Sequence, residues 1–418
     1  MTRRGQRQAG YWTIAIALLP LLIAQLAARS GGWAWISVFE PHTLRLIDGH
    51  MVEYETTYFH RILGVMVGQS VQTDFTSAHY RMWLTQFLVA IPLQWTGNGF
   101  WSFAIVELAG AWLGVVGIAL LGQQLGLSRR ATLLGGGSFA LSPLILVYMW
   151  RHQLHVAAIG SMAFGVGASC AVLFGHRPWW QRGTLLGCIW LTVSLLYQYH
   201  WVVALTALGM VFTSRAELRV RLLGWVGAVI AFFLSTLVLQ ALVAAYGIPV
   251  LTEGNDPRYP LLRLLANPLV AGELFWPLRV LASAVWTLST VYHPVMLIMA
   301  TLGIVFGSRR VRLILGTMVV ATVGFLMLLN LDRVAHAAYP AVYLGAANTV
   351  FMAPYWMVRF ARWGGLSARV VGILSHAALL GALFAVLAVT LQTNSDIWGD
   401  YRYVWSLSHE LFGPMTPR

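Results

Sequence analysis

The stretch FWSFAIVELAGAWLGVVGIALLGQQLGLSRR, residues 100–130, decides the fold. Residues 100–122 form one apolar run, and as a helix such a run is long enough to cross a hydrocarbon layer about 30 Å thick. Its single charge is Glu107. A short polar turn follows, ending in Ser128-Arg129-Arg130, and the next apolar run begins at once. This unit, an apolar span closed by a short basic turn, recurs outward in both directions. The spacing predicts spans at 11–28, 100–122, 132–150, 155–175, 184–198, 201–213, 222–246, 280–306, 313–330, 337–358 and 370–392. The expected fold class is therefore an all-α polytopic membrane protein with about eleven transmembrane helices. A β-barrel would instead show alternating segments of about ten residues.

Composition agrees. The 418 residues are 58% hydrophobic and 10% charged, with a mean hydropathy of +0.70. The formal net charge is +13, and all 27 basic residues are arginine. With the N-terminus in the cytoplasm, sixteen of those arginines and one acid, Glu217, fall in cytoplasmic segments. The other eleven arginines and twelve of the fourteen acids fall outside, and Glu107 is left within a span. The arginine asymmetry is the positive-inside pattern, which accounts for the net charge without nucleic acid. The chain thus reads as a multi-pass protein of the plasma (inner) membrane with an exoplasmic C-terminus. Cys170 and Cys188 lie inside spans and read as buried thiols, with no disulfide framework.

One integral membrane domain, residues 1–418, is expected. A first exoplasmic loop runs over 29–99 and a second over 247–279, and an exoplasmic tail occupies 393–418. Residues 83–95 are apolar but too short to span and suit an interfacial segment. The glycines Gly135, Gly136 and Gly137 inside a span point to close helix packing. Paired tryptophans such as Trp179 and Trp180 fit an aromatic belt.

The first loop holds five of the fourteen acids: Glu40, Asp48, Glu53, Glu55 and Asp74. Glu40 precedes Pro41 and a surface helix with apolar positions at Leu44 and Ile47, so it suits either a capping carboxylate or a catalytic one. Asp48 before Gly49 suits a turn or a second acid. Glu53 and Glu55 read as a solvated face. Glu107, an acid within a span, is either functional or paired with a neighbouring arginine. His152 and His155, three apart, would share a helix face and with Glu40 offer ligands to a divalent metal, but a lone i, i+3 pair is a weak metal signal and the simpler reading is two unliganded histidines.

Several segments together resemble the GT-C class of membrane glycosyltransferases, which includes the protein O-mannosyltransferase and aminoarabinose-transferase families. Phe39-Glu40 stands where that class has an acid pair, and Asp48-Gly49 where its surface helix ends. The stretch Tyr58-Phe59-His60-Arg61-Ile62-Leu63 resembles its His-Pro-Pro-Leu segment without the prolines. Leu121 to Arg130 resembles its first cytoplasmic turn, and Phe139 to Tyr148 the following span, which leads to Arg151. Leu331 to Pro340, containing Arg333 and His336, resembles its late Arg-to-Pro segment. The resemblance implies transfer of a sugar from a polyprenyl-phosphate donor, on the exoplasmic face, to a glycan, lipid or protein acceptor. Glu40 would be the base and Asp48 its orienter or substitute. Arg61, Arg151 and Arg333, with His60, would hold the donor, since arginine grips phosphate in a bidentate way. Each arginine is alternatively an interfacial anchor. Glu40 stands alone where the class carries two acids, so the alternative function is a non-catalytic accessory subunit that works with other membrane proteins.

Overall fold

The computed structural model describes residues 10–24, 99–142, 155–196, 291–329 and 332–399, with single helical positions at 145 and within 88–95, 218–241 and 281–289. These residues are helical or in short turns, with no strand among them. In chain order the helices are α1 (Gly10–Ala24), α2 (Gly99–Leu125), α3 (Arg129–Ala140), α4 (His155–Leu173), α5 (Trp179–Leu196), α6 (Pro294–Val305), α7 (Arg309–Leu329), α8 (Tyr339–Trp363) and α9 (Ala368–Gly399), and a 3₁₀ segment, η1 (Asp332–Ala338), precedes α8. Ala104–Leu125, Arg309–Met327 and Ala368–Thr390 are each long and apolar enough to cross a bilayer. Nine of the eleven sequence-derived spans thus have a helix at their position. Residues 201–213 lie outside the described residues, and 222–246 shows only single helical positions.

The most extensive contact is α2 on α4, and the sequence explains why. Gly110, Gly114 and Gly117 share one face of α2, at the i, i+4, i+7 spacing of a helix stripe. Opposite them α4 presents Ala157, Gly160, Ala163 and Gly167. A Cβ on Gly160 would overlap the Gly110 carbonyl, and one on Gly167 the Gly117 carbonyl. Backbone therefore packs on backbone, the arrangement that small residues permit between apolar helices whose association gains little from the hydrophobic effect in lipid. A second seam joins α6 to α8. There a Cβ on Gly303 would meet the Gly345 carbonyl, and Asn348 Nδ2 donates to the Gly303 carbonyl at 2.8 Å. The Thr349 hydroxyl donates to the Met299 carbonyl in the same seam.

The glycine run of α3 works as its sequence suggests. Gly135 lies against Leu344 and the Tyr343 carbonyl of α8, while Gly136 lies against Leu18 of α1, so two helices approach α3 closely. Buried residues Leu18, Leu22, Ile118, Leu121, Phe139 and Leu344 belong to the core between them. By contrast α9 packs on α8 along one side and leaves Ile373, Leu380 and Phe384 exposed, as lipid-facing residues would be.

The turns between α2 and α3, α4 and α5, α6 and α7, and α8 and α9 gather at one end. Arg310 donates to the Gln124 carbonyl at 3.5 Å and lies 5.5 Å over the Phe174 ring, linking three of these turns. Phe306 meets Trp356 at 5.2 Å, which brings the C-terminal part of α8 to the same end. Tyr11 donates to the Leu127 carbonyl at 2.6 Å, so α1 starts there too. We call this the basic end. Its chain reversals are closed locally. Gly126 (φ 72°) and Gly365 (φ 65°) take the left-handed conformation that ends a helix, and Leu127 N donates to Gly122 O at 3.0 Å and Leu366 N to Ala361 O at 3.1 Å. Arg182, nearly buried, donates to the Leu173 carbonyl at 3.3 Å, placing a cation on the C-terminus of α4.

Three expectations need correction. The run 132–150 is not one helix: α3 ends at Ala140, and Ser142 Oγ accepts from Ile145 N at 3.4 Å to begin a new turn. The run 280–306 is broken at His293, whose φ of 64° cannot continue a helix. Both breaks fall immediately before or next to a proline, Pro143 and Pro294, as the missing N–H and fixed φ of that residue favour. Cys188 is exposed on α5, not buried, because it lies on the helix face turned away from α4; Cys170 is buried, and both are free thiols.

Candidate functional site

The end opposite the basic one is built differently. α3 and α6 each hold twelve residues, about 18 Å of helix. Counted from the basic end, both therefore stop well short of a hydrocarbon layer roughly 30 Å thick. Non-helical backbone at that depth is tolerated only where protein or a cavity surrounds it. Here the first turns of α8 and the segment η1 supply the surroundings.

Four aromatic rings fill the junction. Tyr292, the residue before the His293 break, has its ring 4.9 Å from that of Tyr339 and 6.2 Å from that of Tyr343. Tyr339 stacks on Tyr343 at 5.6 Å, as their i, i+4 spacing on α8 allows. Phe139, from the last turn of α3, meets Tyr339 edge-on at 5.9 Å and Tyr343 at 6.3 Å. His336 of η1 lies 5.9 Å from Tyr339. All five side chains are buried.

The polar atoms of this junction are arranged as well as buried. The Tyr292 hydroxyl donates to the Ala335 carbonyl at 2.6 Å, tying the start of the α6 region to the middle of η1. The side chains of Tyr343 and Ser142 are hydrogen bonded, tying α8 to the break after α3. His293 caps α6 by accepting from Val295 N at its Nδ1, at 3.2 Å. The two helix breaks are thus held by tyrosines from, or stacked against, the start of α8. The Tyr292 bond ties η1 to the second of these breaks, and the second residue of η1 is Arg333.

Glu107 belongs to the same end. It lies three residues outward of Gly110 on the seam face of α2 and is fully buried. Gly110 abuts Ala157, two residues into α4 from His155. Glu107 therefore sits at the level where α4 begins, and η1 also contacts α4.

Of the site residues read from the sequence, Arg333 is placed in η1 and His155 is the first residue of α4. Glu40, Asp48, His60, Arg61, Arg151 and His152 lie outside the described residues. Among the described residues no three His, Cys, Asp or Glu side chains are grouped as metal ligands. The residues that sequence reasoning missed are Tyr292, Tyr339, Tyr343, Phe139 and Ser142. Four of the five had a faint signal: Tyr292 and Ser142 stand at or beside an X-Pro step within an apolar run, and Tyr339 and Tyr343 are i, i+4 neighbours. A junction of this kind can hold a polar group at membrane depth. It offers buried hydroxyls and an imidazole, and it fixes the backbone that carries an arginine.

No protein-family model matches the chain, and no curated protein matches it. Among solved structures it is similar to the oligosaccharyltransferase of Archaeoglobus fulgidus, determined with a tethered acceptor peptide containing the NVT sequon. The TM-score is 0.51 at 14% identity, over 81% of this chain and 50% of that one. The chain thus spans about half the length of that enzyme. At this identity the likeness is one of fold: an all-helical arrangement, with three helices long and apolar enough to cross a membrane, that is similar to the fold of an oligosaccharyltransferase.

Proposed function

We propose that the chain transfers a sugar from a polyprenyl-phosphate-linked donor to a cell-envelope acceptor (a glycan, lipid or protein), and that the reaction takes place at the end opposite the basic one, facing the exoplasm. The observation that carries this reading is the position of Arg333. It lies in a 3₁₀ segment that a buried tyrosine hydrogen bond ties to the helix break at His293, in a fold similar to that of an oligosaccharyltransferase.

The reaction breaks the bond from the anomeric carbon to the phosphate oxygen and forms one from that carbon to the acceptor. The acceptor must lose a proton, and the departing phosphate must keep its electron pair. Glu40 takes the proton, with Asp48 orienting it. Arg61, Arg151 and Arg333 neutralise the phosphate, and His60 assists in holding it. The arginines keep their charge at any depth a lipid phosphate reaches. The buried tyrosine junction keeps η1 in place without offering a competing anion.

The test is a mass-spectrometric profile of envelope glycans and glycolipids in a strain lacking the gene, complemented with wild-type protein or with Glu40→Gln at matched expression. A sugar missing in the deletion and restored by wild type alone supports the transferase. An unchanged profile, or equal rescue by both, refutes it. The single acid at Glu40 favours a second reading, a non-catalytic GT-C-like subunit. That protein tolerates Glu40→Gln and co-purifies with other membrane proteins.

A further inference from the structure

The basic end holds more cation than its own folding uses. Among the described residues its turns and helix ends carry Arg129, Arg130, Arg177, Arg182, Arg309, Arg310, Arg312, Arg359, Arg362 and Arg369. The acids among the described residues, Glu107, Asp332 and Asp396, all lie toward the other end. Some of the arginines have structural work. Arg182 caps α4, Arg310 bridges three turns, and Arg359 lies 5.5 Å over the Trp363 ring. Arg130, Arg309 and Arg312 are exposed beside two of the three turns that Arg310 bridges.

Their placement along the helices is unusual. α3 and α7 both open with Ser-Arg-Arg, at Ser128-Arg129-Arg130 and Ser308-Arg309-Arg310. In each the serine caps the helix, with Ala131 N donating to Ser128 Oγ at 3.1 Å and Val311 N to Ser308 Oγ at 3.3 Å. A helix start carries a partial positive charge and favours acids. Neither α3, α5, α7 nor α9 has an acid in its first turn. The arginines therefore add to a potential that is already positive, and this raises the energy of the end until an anion neutralises it. The rim is apolar: Trp179, Trp180 and Phe306 are exposed beside these turns, at 42%, 55% and 57%. Aromatic side chains in that position belong at the headgroup level of a bilayer. The combination of a clustered cation surface with an aromatic rim continuous with membrane spans fits a lipid better than a soluble polyanion.

We infer that the junction of turns 126–128, 174–178 and 306–308 binds the headgroup of an anionic phospholipid, through Arg130, Arg309 and Arg312 around Arg310. The site lies at the opposite end from the proposed chemistry and stands whether or not the chain is a transferase. It differs from a general positive-inside bias in being local: three arginines on two adjoining turns carry it.

The experiment is native mass spectrometry of the full chain in a neutral detergent, titrated with dioleoylphosphatidylglycerol or dioleoylphosphatidylcholine. Wild type should take up the anionic lipid at least tenfold more readily. The variant R130Q/R309Q/R312Q should lose that preference, and R359Q/R362Q/R369Q, on the helix ends that flank the turn between α8 and α9, should keep it within twofold. Equal uptake of the two lipids by wild type overturns the inference. So does equal loss in both triple variants, which means diffuse attraction, and so does displacement of phosphatidylglycerol by millimolar inorganic phosphate, which assigns the surface to a soluble anion. If the first variant does not fold, wild type alone still decides: phosphatidylglycerol should raise its Tm by several degrees over phosphatidylcholine, and an equal Tm in both overturns the inference.

Discussion

The two ends of this helix bundle solve opposite problems. At the basic end the four described chain reversals are short and flanked by arginine, and three of them carry a left-handed glycine or a serine cap. At the other end two helices break inside the membrane's thickness. The breaks are held by tyrosine hydroxyls reaching across to other elements, not by local caps alone. The difference teaches where polar chemistry can be built in an apolar chain. The basic end is encoded locally and sets orientation. The far end is encoded by long-range contacts and keeps non-helical backbone and polar groups, surrounded by protein, at a depth where a hydrocarbon layer would otherwise exclude them.

Between the ends runs the glycine seam of α2 and α4, and breaking it should have the largest effect. In Gly160→Val the added side chain would enter the Gly110 carbonyl. We expect a loss of more than about 3 kcal/mol, beyond the usual range for overpacking because the obstacle is backbone. The readout is recovery of monodisperse protein by size-exclusion chromatography, which should fail. Recovery of stable protein would mean the two helices are not in backbone contact.

Removing the far end's cross-link should cost less but remain visible. Tyr292→Phe keeps the ring among Tyr339 and Tyr343 and deletes only the hydroxyl, leaving the buried Ala335 carbonyl without that donor. The expected loss is about 1–3 kcal/mol, read as a fall in Tm. An unchanged Tm would show that η1 is not held by this bond.

A local device of the basic end should cost about as much as a single strained residue. Gly126→Ala forces an alanine to φ 72°, at about 1–2 kcal/mol. The smallest effect belongs to α9. A Cβ on Gly381 meets nothing within 4 Å, so Gly381→Ala should be neutral or stabilising by up to about 1 kcal/mol through helix propensity. A marked destabilisation would mean that this face has a partner.

Much of the architecture was legible because hydropathy and arginine placement are local signals. Helices α1 to α9 all fall on apolar runs, and the run Gly135 to Gly137 pointed to the close packing it provides. The breaks were harder. Residues 132–150 and 280–306 are continuous in hydropathy, so a window wide enough to find a span averages over Ser142-Pro143 and His293-Pro294. The tyrosine junction was harder still, because Phe139, Tyr292, Tyr339 and Tyr343 come from three separate stretches and meet only once those stretches pack. The acid-rich loop, with Glu40 and Asp48, stood out by composition but lies outside the described residues. Arg333, a motif arginine, lies on the segment η1 that the Tyr292 hydrogen bond ties to the bundle.

That residue also gives the most direct test. In the strain lacking the gene, Arg333→Gln and Arg333→Lys would be compared with wild type for restoration of the envelope sugar, each checked for equal folding by Tm and expression. The account predicts that Gln restores little or none, a fall of at least tenfold, and that Lys restores only part, because it keeps the charge and loses the bidentate grip. Full restoration by Arg333→Gln at equal abundance would contradict the claim that the pinned segment holds a lipid phosphate.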